Sequence, residues 1–382
     1  MKNKNHFFKI LCFIFIINFI HNEAFATSKK DNYKSFSIDS LTKNMEIDFR
    51  FNYGFFVHHH FEMKNYSADF PMFELSLQKQ TFGRQSWQSY FNYPTIGITA
   101  FYSNLGNIDI IGDAYALYPF INFPLNKSKI NTLGLRFGVG LGYLTKKYHP
   151  VDNYANTSIG ANVNAAISLT LEYKHQISER FKMTAFAGLT HFSNGCSNFP
   201  NSGYNIISAG ISTTYLLKNQ EDYIPKRITK ENVYRKIEPE YYAGLSFGIK
   251  RIRYAQNENF AVYDLEFYAL DRINNLSKVG LGIDLLYSKC SYISIIEYYS
   301  KSFSAIEMLK PGIGLAYELC MGEASFLINF GFHIYGIYMS EGRWYQKLGF
   351  KINLGNYMYA KIALNTHFGV ADFIGWGLGI RL

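Results

Sequence analysis

From 132 to 143 the chain alternates without a break. Leu133, Leu135, Phe137, Val139, Leu141 and Tyr143 are separated by Gly134, Arg136, Gly138, Gly140 and Gly142, with Thr132 leading. Successive side chains of a β-strand point to opposite faces, so one face here is wholly apolar and the other small or polar. The pattern returns over 159–173, with Ala161, Val163, Ala165, Ile167, Leu169 and Leu171 on the apolar side. It returns again at the end, where Trp376, Leu378, Ile380 and Leu382 alternate with Gly377, Gly379 and Arg381. A strand with a lipid side and a crowded inner side belongs in a transmembrane β-barrel.

Strand signals of this kind predict eight strands over 46–217. A polar, charged stretch follows at 218–240, and seven or eight further strands fill 241–382. The segment 291–310 reads equally as strand or long loop. Composition agrees: 31 Tyr, 34 Phe and 30 Gly stand against 9 Pro, and charged residues make up 18%, below the roughly 25% of soluble proteins. The expected fold class is all-β, an antiparallel transmembrane β-barrel of the bacterial outer membrane. A total near 16 strands fits either one large barrel or two small ones, and the linker at 218–240 keeps the second arrangement open.

The chain begins with Lys2, Lys4 and Lys9, an apolar run over 10–20 and Ala24-Phe25-Ala26. That order reads as a secretory signal peptide over 1–26, followed by an N-terminal segment at 27–45. The apolar run is too short to span a bilayer, and no later stretch offers about 18 uninterrupted apolar residues. Export to the outer membrane of a Gram-negative bacterium is therefore expected. The formal charge of +9 suits ordinary solubility or attraction to an anionic leaflet. With no basic stripe or known module, nucleic acid is not an expected partner. Beyond the signal stand Cys196, Cys290 and Cys320. An odd count forbids full pairing, and the spacing is wrong for zinc, so they read as packing or loop residues with room for one disulfide.

Connections at 124–131 and 176–180 are short, and those at 145–158 and 194–204 are long. Outer-membrane barrels keep short turns in the periplasm and long loops outside. The connection over 80–93 is an exception, too long for a periplasmic turn.

The chemistry-bearing stretch is Thr190-His191-Phe192-Ser193-Asn194-Gly195, followed by Asn205. His191 and Ser193 continue the parity of Phe181, Met183, Ala185, Ala187 and Leu189, an apolar face. Asn205 shares parity with Ile207, Ala209 and Ile211 on the next strand. Serine ester hydrolysis needs a hydroxyl, a base and a group that orients the base. Ser193, His191 and Asn205 supply these on one lipid-facing surface, and donors near Asn194 and Gly195 would meet the oxyanion. An asparagine orients a histidine without adding charge. Lys146 and Lys147, on the neighbouring long loop, read either as contacts to lipid phosphates or as solvated loop residues. Glu172 has inward parity and is not expected to reach His191. His58-His59-His60 places only two histidines on one face, short of a closed metal site, so no metal or other cofactor is expected. Thr366-His367-Phe368 echoes the motif in the second half, with Gly369 where the first copy has Ser193.

These residues resemble a family. His191-Phe192-Ser193-Asn194 with Asn201-Ser202-Gly203 is similar to the motif of the lipid A 3-O-deacylase (PagL) or acyloxyacyl hydrolase family, over about 46–217. The resemblance implies an eight-stranded outer-membrane barrel that removes an ester-linked acyl chain from lipid A. It implies Ser193 as nucleophile and His191 as base, with Asn194 and Asn201 supporting the oxyanion or the loop. Asn205 departs from it, since the best-known members have a glutamate there. His191, Ser193, Asn194, Gly195 and Asn205 also resemble outer-membrane phospholipase A, a larger, calcium-dependent, dimeric barrel. The arginine and tryptophan that precede the asparagine there are replaced by Gly203 and Tyr204. The expected function is a serine esterase acting on lipid A or lipopolysaccharide in the outer leaflet. The alternatives are a phospholipase A or a non-enzymatic barrel, a pore or scaffold. The sequence is silent on oligomeric state.

Overall fold

The computed structural model describes residues 44–57, 68–217, 238–251, 259–290 and 304–382, except positions 84, 305, 338, 340 and 341. The expected signal peptide, His58-His59-His60 and most of the linker lie outside the described residues, as does most of the ambiguous 291–310 segment.

The sheet closes twice. The first eight strands are β1 (Met45–Phe56), β2 (Asp69–Gln80), β3 (Thr95–Ser103), β4 (Ala114–Pro124), β5 (Asn131–Leu144), β6 (Val163–Gln176), β7 (Phe181–Ser193) and β8 (Tyr204–Leu216). They pair antiparallel in sequence order, and β8 returns to β1 with Ile211 opposite Phe51. The second eight are β9 (Glu240–Lys250), β10 (Phe260–Arg272), β11 (Ser277–Ser288), β12 (Leu309–Met321), β13 (Ala324–His333), β14 (Trp344–Leu354), β15 (Met358–His367) and β16 (Val370–Arg381). They close when β16 meets β9 with Trp376 opposite Phe247. The expected all-β class and eight-stranded first unit are observed, and the choice between one large barrel and two small ones falls to two.

Alternation sorts the faces as expected. On β1 the outward residues Ile47, Phe49, Phe51, Tyr53 and Phe55 are all exposed, while Glu46, Asp48, Arg50 and Asn52 between them are buried. So long an exposed apolar wall is unstable against water and suits lipid. One part of the alternation misleads. Ile159 and Ala161 are buried rather than outward, because β6 begins only at Val163 and the chain before it folds back over the barrel mouth.

Neither lumen is empty. In the first barrel Arg50 Nε donates to Asp48 at 2.7 Å and the guanidinium also bonds Glu172. Arg136 reaches Ser76 at 2.9 Å and lies over the Phe120 ring at 3.5 Å. Asn122 donates to Glu172 at 2.5 Å, so Glu172 faces inward as expected. Above this polar layer an apolar cluster fills the mouth, including Phe56, Phe70, Phe101, Leu144, Phe192 and Tyr204. In the second barrel Lys347 bonds Asp264 at 2.5 Å and Asp284 at 2.8 Å, and Lys361 bonds Glu266. Inward charges are numerous in both lumens, and they are paired with one another.

The two barrels stand side by side with the same end up. At the short-turn end a helix, α1 (Ser86–Tyr90), occupies the 80–93 connection. Its Tyr90 hydroxyl accepts from Asn275 in the β10–β11 turn, which explains why that connection is long. Midway, Phe137 of β5 packs against Phe326 and Phe350 at 6.2 and 6.5 Å. At the long-loop end, Cys196 and Gly195 meet β16. Parallel orientation is what two barrels crossing one membrane require.

The filled lumens lead to two expected outcomes. The chain reconstituted in a planar bilayer should give no stable ohmic conductance, and steady channel steps would show an open lumen. Arg50→Met should destabilise the first barrel by about 3–5 kcal/mol in urea unfolding, because Asp48 and Glu172 lose their buried partner.

Candidate active site

Phe192 decides where its neighbours point. Its ring is fully buried in the apolar cluster, 5.9 Å from Phe101. With Phe192 inward, His191 and Ser193 must face outward, at the long-loop end of β7. His191 stands directly opposite Asn205 on β8, and Ser193 opposite Ala165 on β6. Uninterrupted register thus brings residues fourteen apart in sequence into contact: His191 Nδ1 donates to Asn205 Oδ1 at 2.6 Å. An amide oxygen only accepts, so Nδ1 carries the proton and Nε2 keeps its lone pair.

The chain then reverses sharply. Gly195 and Cys196 both have positive φ, +59° and +63°. The Asn194 N–H donates to Asn201 Oδ1 at 2.8 Å, and Asn194 Oδ1 accepts from the Asn198 N–H at 3.2 Å. Pinned from both sides, Asn194 presents its Nδ2, buried and without a hydrogen-bond partner. Buried polar atoms are almost always paired, so an orphaned donor one residue after a candidate nucleophile is a feature to be explained.

A second loop braces the first. Asn201 bridges Ile159, the N–H groups of Ser202 and Gly203 donate to the Ser158 carbonyl at 3.0 and 3.3 Å, and the Tyr204 hydroxyl donates to Asn156 at 3.0 Å. Gly203 has φ +76°, and a Cβ there would lie 2.8 Å from His191 Cε1. The imidazole therefore rests on bare backbone. Ser193 and Asn194 are buried and His191 half-buried.

Of the residues singled out from sequence, His191, Ser193, Asn194, Gly195, Asn201 and Asn205 come together. Lys146 and Lys147 are on the exposed surface of the bracing loop, and no described contact joins their ammonium groups to the site. No disulfide joins Cys196, Cys290 and Cys320 among the described residues. Gly203 entered the sequence reading as part of Asn201-Ser202-Gly203, and its role as a seat for the histidine was missed. The repeat in the second barrel is real in position, since His367 ends β15, the seventh strand there. A register shift between Asn365 and Thr366 turns it toward the lumen mouth, where Nε2 lies 3.6 Å from Asp372.

Residues 72–214 match the family model described as lipid A 3-O-deacylase (PagL), and residues 239–382 match that of the acyloxyacyl hydrolase C-terminal domain. The first barrel belongs to the lipid A 3-O-deacylase family. Together the matches reach into both barrels, so the second is also a recognised unit and not a chance appendage. No curated protein matches the chain. Among solved structures, a mutant of the monoaromatic hydrocarbon channel TodX is similar at 7% identity, covering 89% of each chain with a TM-score of 0.19. The siderophore receptor PirA from Acinetobacter baumannii is similar at 9% identity over 85% of this chain and 43% of that one, with a TM-score of 0.23. A triple mutant of Rhodopseudomonas blastica porin gives 5% identity over 88% and 99%, with a TM-score of 0.17. Scores of that size leave function unaddressed.

Gly203→Ala is expected to destabilise the loop by about 1–3 kcal/mol through its positive φ. It should also displace the ring from Asn205, read as a changed imidazole tautomer in nitrogen NMR spectra. An unchanged spectrum would show that the glycine does not seat the histidine.

Proposed function

We propose that the chain is an outer-membrane serine esterase that hydrolyses an ester-linked acyl chain of lipid A. The observation that carries this reading is the 2.6 Å bond from His191 Nδ1 to Asn205, with Ser193 two residues along the same outward face. The family match supplies the substrate class.

Position supports the substrate. The β7 strand has 13 residues, roughly 40 Å of strand at about 3.4 Å per residue. Tilted by about 40°, it crosses roughly 30 Å, one hydrocarbon thickness. Phe181 and Tyr215, ring centroids 5.0 Å apart, mark the opposite rim. The candidate site then lies where acyl chains join a sugar headgroup, facing lipid rather than an aqueous lumen. With the long loops outside, that is the outer leaflet.

In the mechanism, Ser193 Oγ attacks the acyl carbonyl while His191 Nε2 takes its proton. Asn205 holds the ring so that Nε2 is the basic nitrogen. The oxyanion lies near Asn194, whose unpartnered Nδ2 gains there the hydrogen bond it lacks. Collapse breaks the ester C–O bond, and His191 returns the proton to the leaving sugar hydroxyl. Water, deprotonated by His191, then attacks the acyl-serine, releasing the fatty acid and restoring Ser193.

The chain should be expressed in a host of known lipid A and that lipid A weighed by mass spectrometry. Loss of one acyl chain is expected with wild type and none with Ser193→Ala. Unchanged lipid A from folded wild type would sink the reading, and calcium-dependent release from phospholipid instead would favour a phospholipase A. His191→Ala should lower kcat by about 10²–10⁴-fold, and Asn194→Ala by about 10²–10³-fold. Equal rates in either variant would remove that residue from the mechanism.

A further inference from the structure

The second barrel touches the first at the reversal just past Ser193. Cys196 Sγ donates to the Ala371 carbonyl at 2.9 Å, and the Arg251 N–H donates to the Cys196 carbonyl at 3.2 Å. Ile374 of β16 packs on Gly195 so closely that a Cβ there would lie 2.5 Å from Ile374 Cγ1. Both ends of Cys196 are thus held by the second barrel, and its neighbour is capped by it.

This matters because the reversal is unfavourable on its own. Cys196 is not a glycine, yet it takes a left-handed backbone directly after Gly195. Such residues persist only where their surroundings over-determine them. The loop's own bonds fix Asn194 and Asn201, and the bonds to Ser158 fix 202–203. At Cys196 the Ser197 N–H closes the turn on the Asn194 carbonyl at 3.3 Å and Asn201 Nδ2 reaches Sγ at 3.9 Å, and to these β16 and the residue after β9 add one bond at the thiol and one at the carbonyl.

We propose that the second barrel is a positioning element of the esterase site: Ala371 and Ile374 of β16, seated on Gly195 and Cys196, hold the turn that aims Asn194 at the reacting carbonyl. This rests on the esterase reading above. It gives the second barrel a role that its own inward-turned His367 and Gly369 do not supply. A loop displaced by about 1 Å can lose about 10²-fold in rate, while the acyl chain still binds the lipid-facing wall. The effect should therefore fall on kcat and leave KM nearly unchanged.

The test uses the full chain in detergent micelles, with two readouts. One is kcat and KM on purified lipid A. The other is the rate at which a fluorophosphonate labels Ser193, which needs no lipid A. Folding is checked by the heat-modifiable gel mobility of closed barrels. Ile374→Ala should lower kcat and the labelling rate by about 10- to 100-fold, with KM within about twofold, and Ile374→Val should recover most of the loss. Should Ile374→Ala fail to fold, the Cys196 pair decides. Cys196→Ser keeps a donor to Ala371 and should stay near wild type, whereas Cys196→Ala should be slowed. Folded Ile374→Ala and Cys196→Ala at wild-type kcat and labelling rate would overturn the proposal, as would a rise in KM alone. A wild type labelled at Ser193 that leaves lipid A intact overturns only the substrate reading, and the variants are then judged by labelling. A folded wild type that neither labels nor hydrolyses overturns both.

Discussion

A chain that crosses lipid on strands must pair every backbone N–H and C=O with another strand, because hydrocarbon offers no alternative partner. An open sheet leaves two unsatisfied edges. The pairings of β8 with β1 and of β16 with β9 are therefore the condition for everything else in this molecule. Closing at eight strands leaves an interior just wide enough for side chains. That width forces Arg50, Arg136, Glu172 and their partners into contact. It also leaves the outer wall as the one surface broad enough to meet a lipid. The candidate site sits on the outside because the inside is full.

Much of this was legible in the sequence because alternation is local. The lipid face of β5 and the parity of β7 come from single strands read alone. Which strands close a barrel is not local: eight and eight, or sixteen, differ only in what β8 and β9 pair with. The stretch before Val163 shows the limit from the other side. Ile159 and Ala161 extend the period-two pattern, yet they belong to a loop whose apolar residues pack over the barrel mouth. Burial under a loop and exposure to lipid select the same residue types, so composition does not separate them.

The candidate site divides in the same way. Parity placed His191 and Ser193 on one face and Asn205 on the matching face of the next strand, and the β7–β8 register sets Asn205 directly opposite His191. The structure adds what only the fold creates. Gly203 lies under the imidazole, Asn194 is pinned by Asn198 and Asn201 so that one donor is left over, and β16 arrives from another barrel. None of these has a spacing signal, because each depends on where a loop comes to rest. The glycine in particular carries no chemistry of its own, and its effect is the space it leaves for a neighbour's ring.

The echo at Thr366-His367-Phe368 shows how much hangs on strand register. In the first barrel β7 and β8 pair without interruption, so the residue after an outward Leu189 and an inward Thr190 is an outward His191. In the second, the shift between Asn365 and Thr366 inserts an irregularity that re-aims the side chains beyond it, as β-bulges do. His367 turns to the mouth of the lumen and meets Asp372, which in turn bonds Lys250. A histidine there faces an ion pair rather than an acyl chain, and Gly369 stands in the exposed turn where the first copy has Ser193. Two barrels of equal strand number thus differ in what their seventh strands can do. One irregularity in pairing separates a side chain that faces lipid from one that completes a polar interior.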